Sequence, residues 1–381
     1  MADIILILGN GFDIAMGRKT KYTDFIDFEK QLFSNPDEEL LEFLEVKNIK
    51  IEKYWNNLYL RFINENEETL GINWSNIELI ISRLLDAIIY FKNDSDVLFE
   101  SIDLFDTYEF DNVLLDRSNY IAKYYVVKVI VENFGQIEFD NKQKELLMEK
   151  VDELFLDQLD LLIELLEIYL SYLDYIDFEV RGIETSPTAL DAISDLSNSS
   201  VLNFNYTNTS GHLYGTSEKK THFIHGRIDL SRTFNRINTM VFGIEDKEND
   251  VNSELIPYQK YYQRVVKETG NYYETFFEAT LEFTEDELCF PYSSSKNIII
   301  FGHSVDPLDK EIFYKSFALV EEGGYPYRFI FTYFDEPAKR SIIKNLAIIL
   351  GKEKLIELTG KRNIVFVKSD DKYRMNKELL P

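Results

Sequence analysis

Four short polar segments in this sequence stand directly behind apolar runs, and their residue types suit anion and proton chemistry. Gly9-Asn10-Gly11-Phe12-Asp13 follows "IILIL" (4–8). Asn203, Asn205, Tyr206 and Thr207 close "VLNFN" (201–205) or follow it, and His225, Gly226 and Arg227 do the same for "THFIH" (221–225). Gly302, His303, Ser304, Asp306 and Asp309 end and follow "NIIIFGH" (297–303). A glycine turn that opens a helix offers backbone N–H groups to a phosphate. A histidine whose ordinary pKa is about 6.5 suits general-base work, and an asparagine amide both donates and accepts. Each residue also has a plainer reading. Gly9 and Gly11 fit a tight turn, Asn205 a brace or cap, His225 a hydrogen-bonded structural imidazole, and Ser304 the N-cap of a helix near Pro307. Their joint placement favours a site, because ligands of open parallel sheets sit outside the carboxyl ends of the strands.

The elements that would position these segments follow from hydrophobic pattern. Residues 4–8 read as a buried strand, and 20–33 as a helix capped by Thr20 or Thr23. Further strands are predicted at 201–205, 221–225, 239–244, 297–303, 327–334 and 363–368, with helices at roughly 258–280, 307–321, 336–350 and 352–359. Continuous apolar strands alternating with helices predict an α/β fold with a Rossmann-like, mainly parallel sheet. From 38 to 195 the pattern is helical throughout, including 74–91, 120–134 and 144–173. The expected organisation is therefore residues 1–37 and 196–381 as one nucleotide-binding domain, with 38–195 as a large all-helical insertion after the first strand–helix unit. Segment 154–173 carries more apolar surface than one core-facing stripe needs, which predicts a homo-oligomer or partner interface.

Composition bounds the partners. The chain has 381 residues, 41 Lys and Arg against 67 Asp and Glu, and a net charge of −26. That field repels phosphate backbones and speaks against general nucleic-acid binding. One cysteine, Cys289, allows neither an intramolecular disulfide nor a cysteine zinc site. No signal peptide is read at the start, and Asp157, Asp160, Glu164 and Glu167 interrupt 154–173, so no membrane span is expected. The expected location is cytoplasmic.

The segments "ILILGNGFDIAMGRKTKYTDF", "NFNYTNT", "FIHG" and "FGHSVDPLD", with "WSNIE" at 74–78, together resemble the bacteriophage abortive-infection AbiH family. More distantly they are similar to sirtuins and sirtuin-like (DHS-like) NAD-consuming domains. Asn205, His225-Gly226 and Gly302-His303-Ser304 match the order of an Asn-containing strand end, a His-Gly and a Gly-x-Ser in those folds. Tyr206-Thr207 replaces an Ile-Asp pair, and the zinc-binding cysteines are missing, which speaks against deacylation. The resemblance implies an NAD glycohydrolase acting in phage-triggered arrest, with NAD as substrate or ligand and no other cofactor. Asn205, His225 and Asp13 would be catalytic. Gly9, Asn10, Gly11, Phe12, Thr207, Gly226, Gly302 and Ser304 would bind the nucleotide, with help from Arg18, Lys19 or Arg227, and no metal is expected. Gly9 or Gly11 would have a positive φ, or a backbone too close to ligand for a Cβ. The competing readings are a nucleotide sensor without turnover and a helical interaction protein on an α/β scaffold. Weaker ones are a serine hydrolase, which lacks a Gly-x-Ser-x-Gly elbow, and a metal nuclease using Asp306 and Asp309 near His303.

Overall fold

Residues 3–8, "DIILIL", form the first strand because the apolar side chains of 4–8 can be buried on one face or the other. In the computed structural model this strand, β1 (Asp3–Leu8), sends Ile5 and Ile7 into one core cluster and Leu6 and Leu8 into another. The structure describes residues 2–70, 76–107, 109–114, 118–135, 141–231, 238–244, 255–279, 281–282 and 292–381. Trp74 and Ser75 of the "WSNIE" stretch and the single cysteine, Cys289, lie outside them.

Five more strands join β1 in one sheet: β2 (Ser200–Asn203), β3 (Thr221–Phe223), β4 (Lys296–Phe301), β5 (Tyr327–Tyr333) and β6 (Ile364–Lys368). The spatial order is β3-β2-β1-β4-β5-β6 and every pairing is parallel. This is the doubly wound dinucleotide-fold order, whose switch point lies between β1 and β4. Leu8 is in register with Asn203 on one side and Phe301 on the other, so the carboxyl ends of β2, β1 and β4 finish level. A two-residue antiparallel pair, Leu281–Glu282 with Tyr292–Ser293, stands apart from this sheet.

Helices cover both faces. α1 (Asn10–Ala15) contributes Phe12 and Met16 beside it to the cluster of Leu6 and Leu8, joined by Met375 of α15 (Lys372–Glu378) and by Leu213 and Tyr214 of α10 (Thr209–Tyr214). The Ile5 and Ile7 face packs on α12 (Lys310–Gly323), α13 (Glu336–Leu350) and α14 (Lys352–Gly360) through Phe313, Phe317, Ile342, Leu346 and Leu355.

The helical segment comprises α2 (Tyr22–Ser34), α3 (Glu38–Val46), α4 (Leu58–Leu70), α5 (Ile77–Asn93), α6 (Ser95–Asp103), α7 (Phe110–Val113), α8 (Tyr120–Phe134) and α9 (Asn141–Asp174). α5 illustrates the cause. Asn76 accepts the Leu79 N–H as its cap, and Ile77, Ile80, Ile81, Leu84, Leu85, Ile88 and Phe91 repeat at helical spacing and are buried. No strand interrupts the described residues between 38 and 195. Within 154–173 no apolar residue is fully exposed, and Leu154, Leu156, Leu161 and Tyr172 are half-buried. Among the described residues no helix is long and apolar enough to cross a membrane.

The chain divides into two compact units at positions other than those the pattern suggested. One comprises residues 1–21, 169–241 and 264–381 and carries the sheet; the other comprises 22–168 and 242–263. The end of α9 and the π-helix after it, Tyr175–Arg181, therefore belong with the sheet. Two local expectations fail. Residues 239–243 form no strand, and Ile244 makes only a single bridge to Gln259. The helix expected over 258–280 breaks into 3-10 turns at Ile256–Tyr258 and Tyr272–Phe277 around α11 (Lys260–Val266), with Glu268 and Gly270 at positive φ between them.

Candidate functional site

The carboxyl ends of β1 and β4 meet backbone to backbone. Gly9 N–H donates to Phe301 O at 3.0 Å and Gly11 N–H to Gly302 O at 2.8 Å, so the β1–β4 ladder continues beyond both strands. A Cβ on Gly11 would lie 2.7 Å from Gly302 Cα, and one on Gly302 (φ +70°) would lie 2.1 Å from Phe12 N. These glycines are required by the approach of one loop to the other. The expectation of a positive φ at Gly9 or Gly11 is corrected: Gly9 has φ −114°, and the positive values nearby belong to Gly17 and Gly302. Two of the N–H groups expected to cradle a phosphate, those of Gly9 and Gly11, are bonded to carbonyls, and the Phe12 N–H is bonded to Gly9 O. Phe12 is a core residue, edge-on to Phe301 at 5.9 Å and near Tyr214. Asn10 spends its amide on Thr20, donating to its carbonyl at 3.0 Å and accepting its hydroxyl at 2.5 Å. Thr20 is therefore a brace for this turn.

Beside the turn lies a buried polar network. Asn203, the last residue of β2, accepts the Asn205 N–H at 2.9 Å and donates to Thr207 O at 2.9 Å. That bracing sends both following side chains towards α1. Asn205 Nδ2 donates to Gly9 O at 3.1 Å and lies 3.3 Å from Asp13 Oδ1, and the Thr207 hydroxyl donates to Asp13 Oδ2. Burial is the largest influence on Asp13 and raises its pKa to about 6, against the opposing effects of Arg18, Thr207 and Thr209.

Arg18 closes this network from the far side. Its Nε donates to Asp177 at 2.9 Å, and its terminal nitrogens reach Thr209 at 2.5 Å, Asp174 and, at 3.6 Å, Asp13. The guanidinium also lies over Phe178, 4.9 Å from the ring centroid, and Phe178 stacks on His212 at 4.2 Å. Arg18 was expected to attract a diphosphate, but its side chain is completely buried and shared among three carboxylates. Lys19 is exposed, and Arg227 pairs with Glu218 at 3.3 Å on the surface. Asp174 and Asp177 were missed at the sequence level. They belong to the end of α9 and the π-helix that follows it, where i, i+3 spacing brings both carboxylates to one cation.

A second cluster brings the ends of β3 and β4 together. His225 Nε2 faces Asp309 Oδ1 at 3.1 Å, and His303 Nε2 faces Asp309 Oδ2 at 3.5 Å. Phe204 stands edge-on to both imidazoles, at 5.5 Å from His225 and 4.3 Å from His303. Gly226 turns at φ +73°, and a Cβ there would lie 1.8 Å from Thr239 O; Val241 N–H donates to His225 O at 2.8 Å. Gly226 thus serves a close passage of 239–241. Ser304 is exposed and accepts Asn345 through its carbonyl; the cap before Pro307 is Asp306, whose side chain accepts the Leu308 N–H. Among the described residues no group of three or more His, Cys, Asp or Glu is placed to hold a metal ion.

Of the three residues expected to be catalytic, Asn205 and Asp13 are joined directly, while His225 is joined to Asp309. The partner of His225 comes from the 3-10 turn Pro307–Asp309, 84 residues away, a distance no local motif spans. A base paired with a carboxylate that fixes its orientation is the arrangement expected of general-base chemistry.

The family model for bacteriophage abortive infection AbiH matches residues 5–323 of this chain. No curated protein and no solved structure matches it. The chain belongs to the AbiH family, and its role lies in abortive infection of bacteriophage.

Proposed function

We propose that this AbiH-family chain acts in phage defence as an NAD-consuming hydrolase, with His225 as general base. The observation that carries the reading is the His225–Asp309 pair at 3.1 Å, brought together by the turn after β3 and the 3-10 turn Pro307–Asp309 before α12, on the carboxyl side of a sheet in dinucleotide-fold order. The order of Asn205, His225-Gly226 and Gly302-His303-Ser304, similar to that of sirtuin-like domains, adds support.

In this reaction His225 takes a proton from water and the water oxygen bonds to C1′ of the nicotinamide ribose. The glycosidic bond breaks with its electron pair on the nicotinamide nitrogen. Nicotinamide leaves neutral, ADP-ribose forms, and the proton passes from the imidazolium to solvent. The Asp309 carboxylate stabilises that imidazolium. Asn205 orients a ribose hydroxyl or the water. Asp13 acts through Asn205, because it is buried and already bonded within the protein. Ser304, exposed beside Gly302, is assigned to the adenosine half of the substrate. Gly9 and Gly11 shape the edge without donating to the diphosphate, since their N–H groups are engaged.

A second reading is a nucleotide sensor that binds without turnover. It is favoured by the closure of Asp13, Thr207 and Arg18 on one another. Incubation of the purified protein with NAD, following both nicotinamide release and NAD bound, separates the two. Release at a rate that scales with protein supports hydrolysis; binding without release supports the sensor; neither overturns both.

A further inference from the structure

Asp309 faces two imidazoles, and the second is itself held in one tautomer. Val305 donates its backbone N–H to Nδ1 of His303 at 2.8 Å. A ring nitrogen that accepts such a bond carries no hydrogen, so the hydrogen of His303 is on Nε2, the atom that faces Asp309 Oδ2. The other carboxylate oxygen faces His225. One oxygen is thereby turned to each ring.

The N–H that fixes His303 comes from an unusual backbone. Val305 has φ +56° and is completely buried, and a β-branched residue adopts that conformation only when its surroundings impose it. His303 is confined on its other sides as well. The Phe204 centroid lies 4.3 Å from its ring centroid and that of Phe313 5.0 Å, and a Cβ on Gly9 would come within 2.7 Å of its Cα. The strained loop, the closed glycine junction and two aromatic rings together leave this imidazole one orientation.

We infer that His303, fixed by Val305, is a positioning residue: it sets the rotation of the Asp309 carboxylate and, through it, the tautomer of His225. His225 then carries its hydrogen on Nε2, towards Asp309, which leaves Nδ1, a buried atom in this structure, as the accepting nitrogen of the ring. The inference rests on the reading of His225 as a base, and it requires no contact between His303 and substrate.

Nitrogen NMR of the histidine side chains in the full chain tests this without reference to activity. The sequence has 4 histidines, and substituting each in turn assigns their signals. The expected result is the Nε2–H tautomer for both His225 and His303. His303→Asn keeps an acceptor near the position of Nδ1 and loses the donor towards Asp309. His303→Gln puts an amide nitrogen near the position of Nε2. In His303→Asn, His225 should become a mixture of tautomers, and kcat for nicotinamide release should fall roughly ten- to a hundredfold with KM little changed. His303→Gln should restore both. An Nδ1–H tautomer at His303 in the parent, or a single unchanged tautomer of His225 in His303→Asn, overturns the inference. Should His303→Asn fail to fold, the parent tautomers and the Gln variant still decide it. If the tautomers behave as stated but NAD is not cleaved, the hydrolase reading falls and the positioning role stands.

Discussion

The Thr207 hydroxyl donates to the Asp13 carboxylate across 194 residues of sequence, inside a network that exposes almost nothing of either side chain. Asp13 is consequently a titrating group near neutrality, its pKa raised to about 6 mainly by burial. A carboxyl whose folded pKa lies above its unfolded value binds its proton more tightly in the native state. Its contribution is full below the unfolded pKa of about 4 and is lost as the pH rises through 6. Relative to Asp13→Asn, the parent should therefore lose about 2 kcal/mol of stability between pH 4 and pH 7. Urea unfolding of both proteins across that range checks this, and a constant difference between them would contradict it.

His222 has the opposite sign over nearly the same window. It is buried on β3 beside Tyr273, 5.6 Å between ring centroids, and burial followed by the charge of Arg264 lowers its pKa to about 4. A histidine with a depressed folded pKa leaves the unfolded chain binding more protons between about 4 and 6.5, so the native state loses stability as the pH falls through that range. His222→Phe should gain on the parent as the pH drops from 7 to 4, with little difference above 7. The same unfolding series reads this, and its slope runs against that of Asp13→Asn. Similar slopes for the two variants would refute one of the assignments.

The glycine junction makes a graded prediction about stability. Gly302 has φ +70° and a Cβ there would meet Phe12 N at 2.1 Å, whereas Gly324 has φ +65° with nothing within 4 Å. Gly324→Ala should cost only the backbone term, about 1 kcal/mol. Gly302→Ala adds a backbone collision and should cost at least about 3 kcal/mol, or prevent folding. Gly11→Val should also destabilise, because its Cβ meets Gly302 Cα. Thermal melts that rank the Gly324 variant with the Gly302 variant would show that the junction is not tight.

Arg18 holds three carboxylates, and removing it should leave them buried without compensation. Arg18→Met is expected to cost about 3–5 kcal/mol at pH 8. The loss should shrink towards pH 5, since burial raises the pKa of both Asp13 and Asp174 and protonation removes their charge. Denaturant midpoints at the two pH values measure this. A loss that is small, or equal at both, would mean that the network is not held by the guanidinium.

The sheet was largely legible in the sequence because buried parallel strands are continuous apolar runs bounded by turns, as in β1 and β4. The same signal misread 239–244. An apolar segment packed as extended chain has the composition of a strand, and only its hydrogen bonds, here one from Val241 to His225 and the bridge at Ile244, tell the two apart. The polar segments behind the strands were found, but their internal roles were not. Gly9 and Gly11 look alike in sequence whether a backbone or a phosphate approaches them, and the neighbour proved to be Gly302. Arg18 read as a cation for the diphosphate because its partners, Asp174 and Asp177, are separated from it by more than 150 residues. Long-range pairing of that kind carries no local pattern.

The central claim, that His225 and Asp309 act together on NAD, is tested most directly by the rate of nicotinamide release from NAD by the parent, His225→Ala and Asp309→Asn, with NAD affinity measured in parallel. His212→Ala serves as control, because its ring stacks on Phe178 and not on the His225 cluster. The predicted result is a fall of the order of 10²–10⁴-fold in rate for His225→Ala, a comparable loss for Asp309→Asn, affinity changed far less, and turnover nearly intact in His212→Ala. Release of nicotinamide by His225→Ala as fast as by the parent would contradict the account.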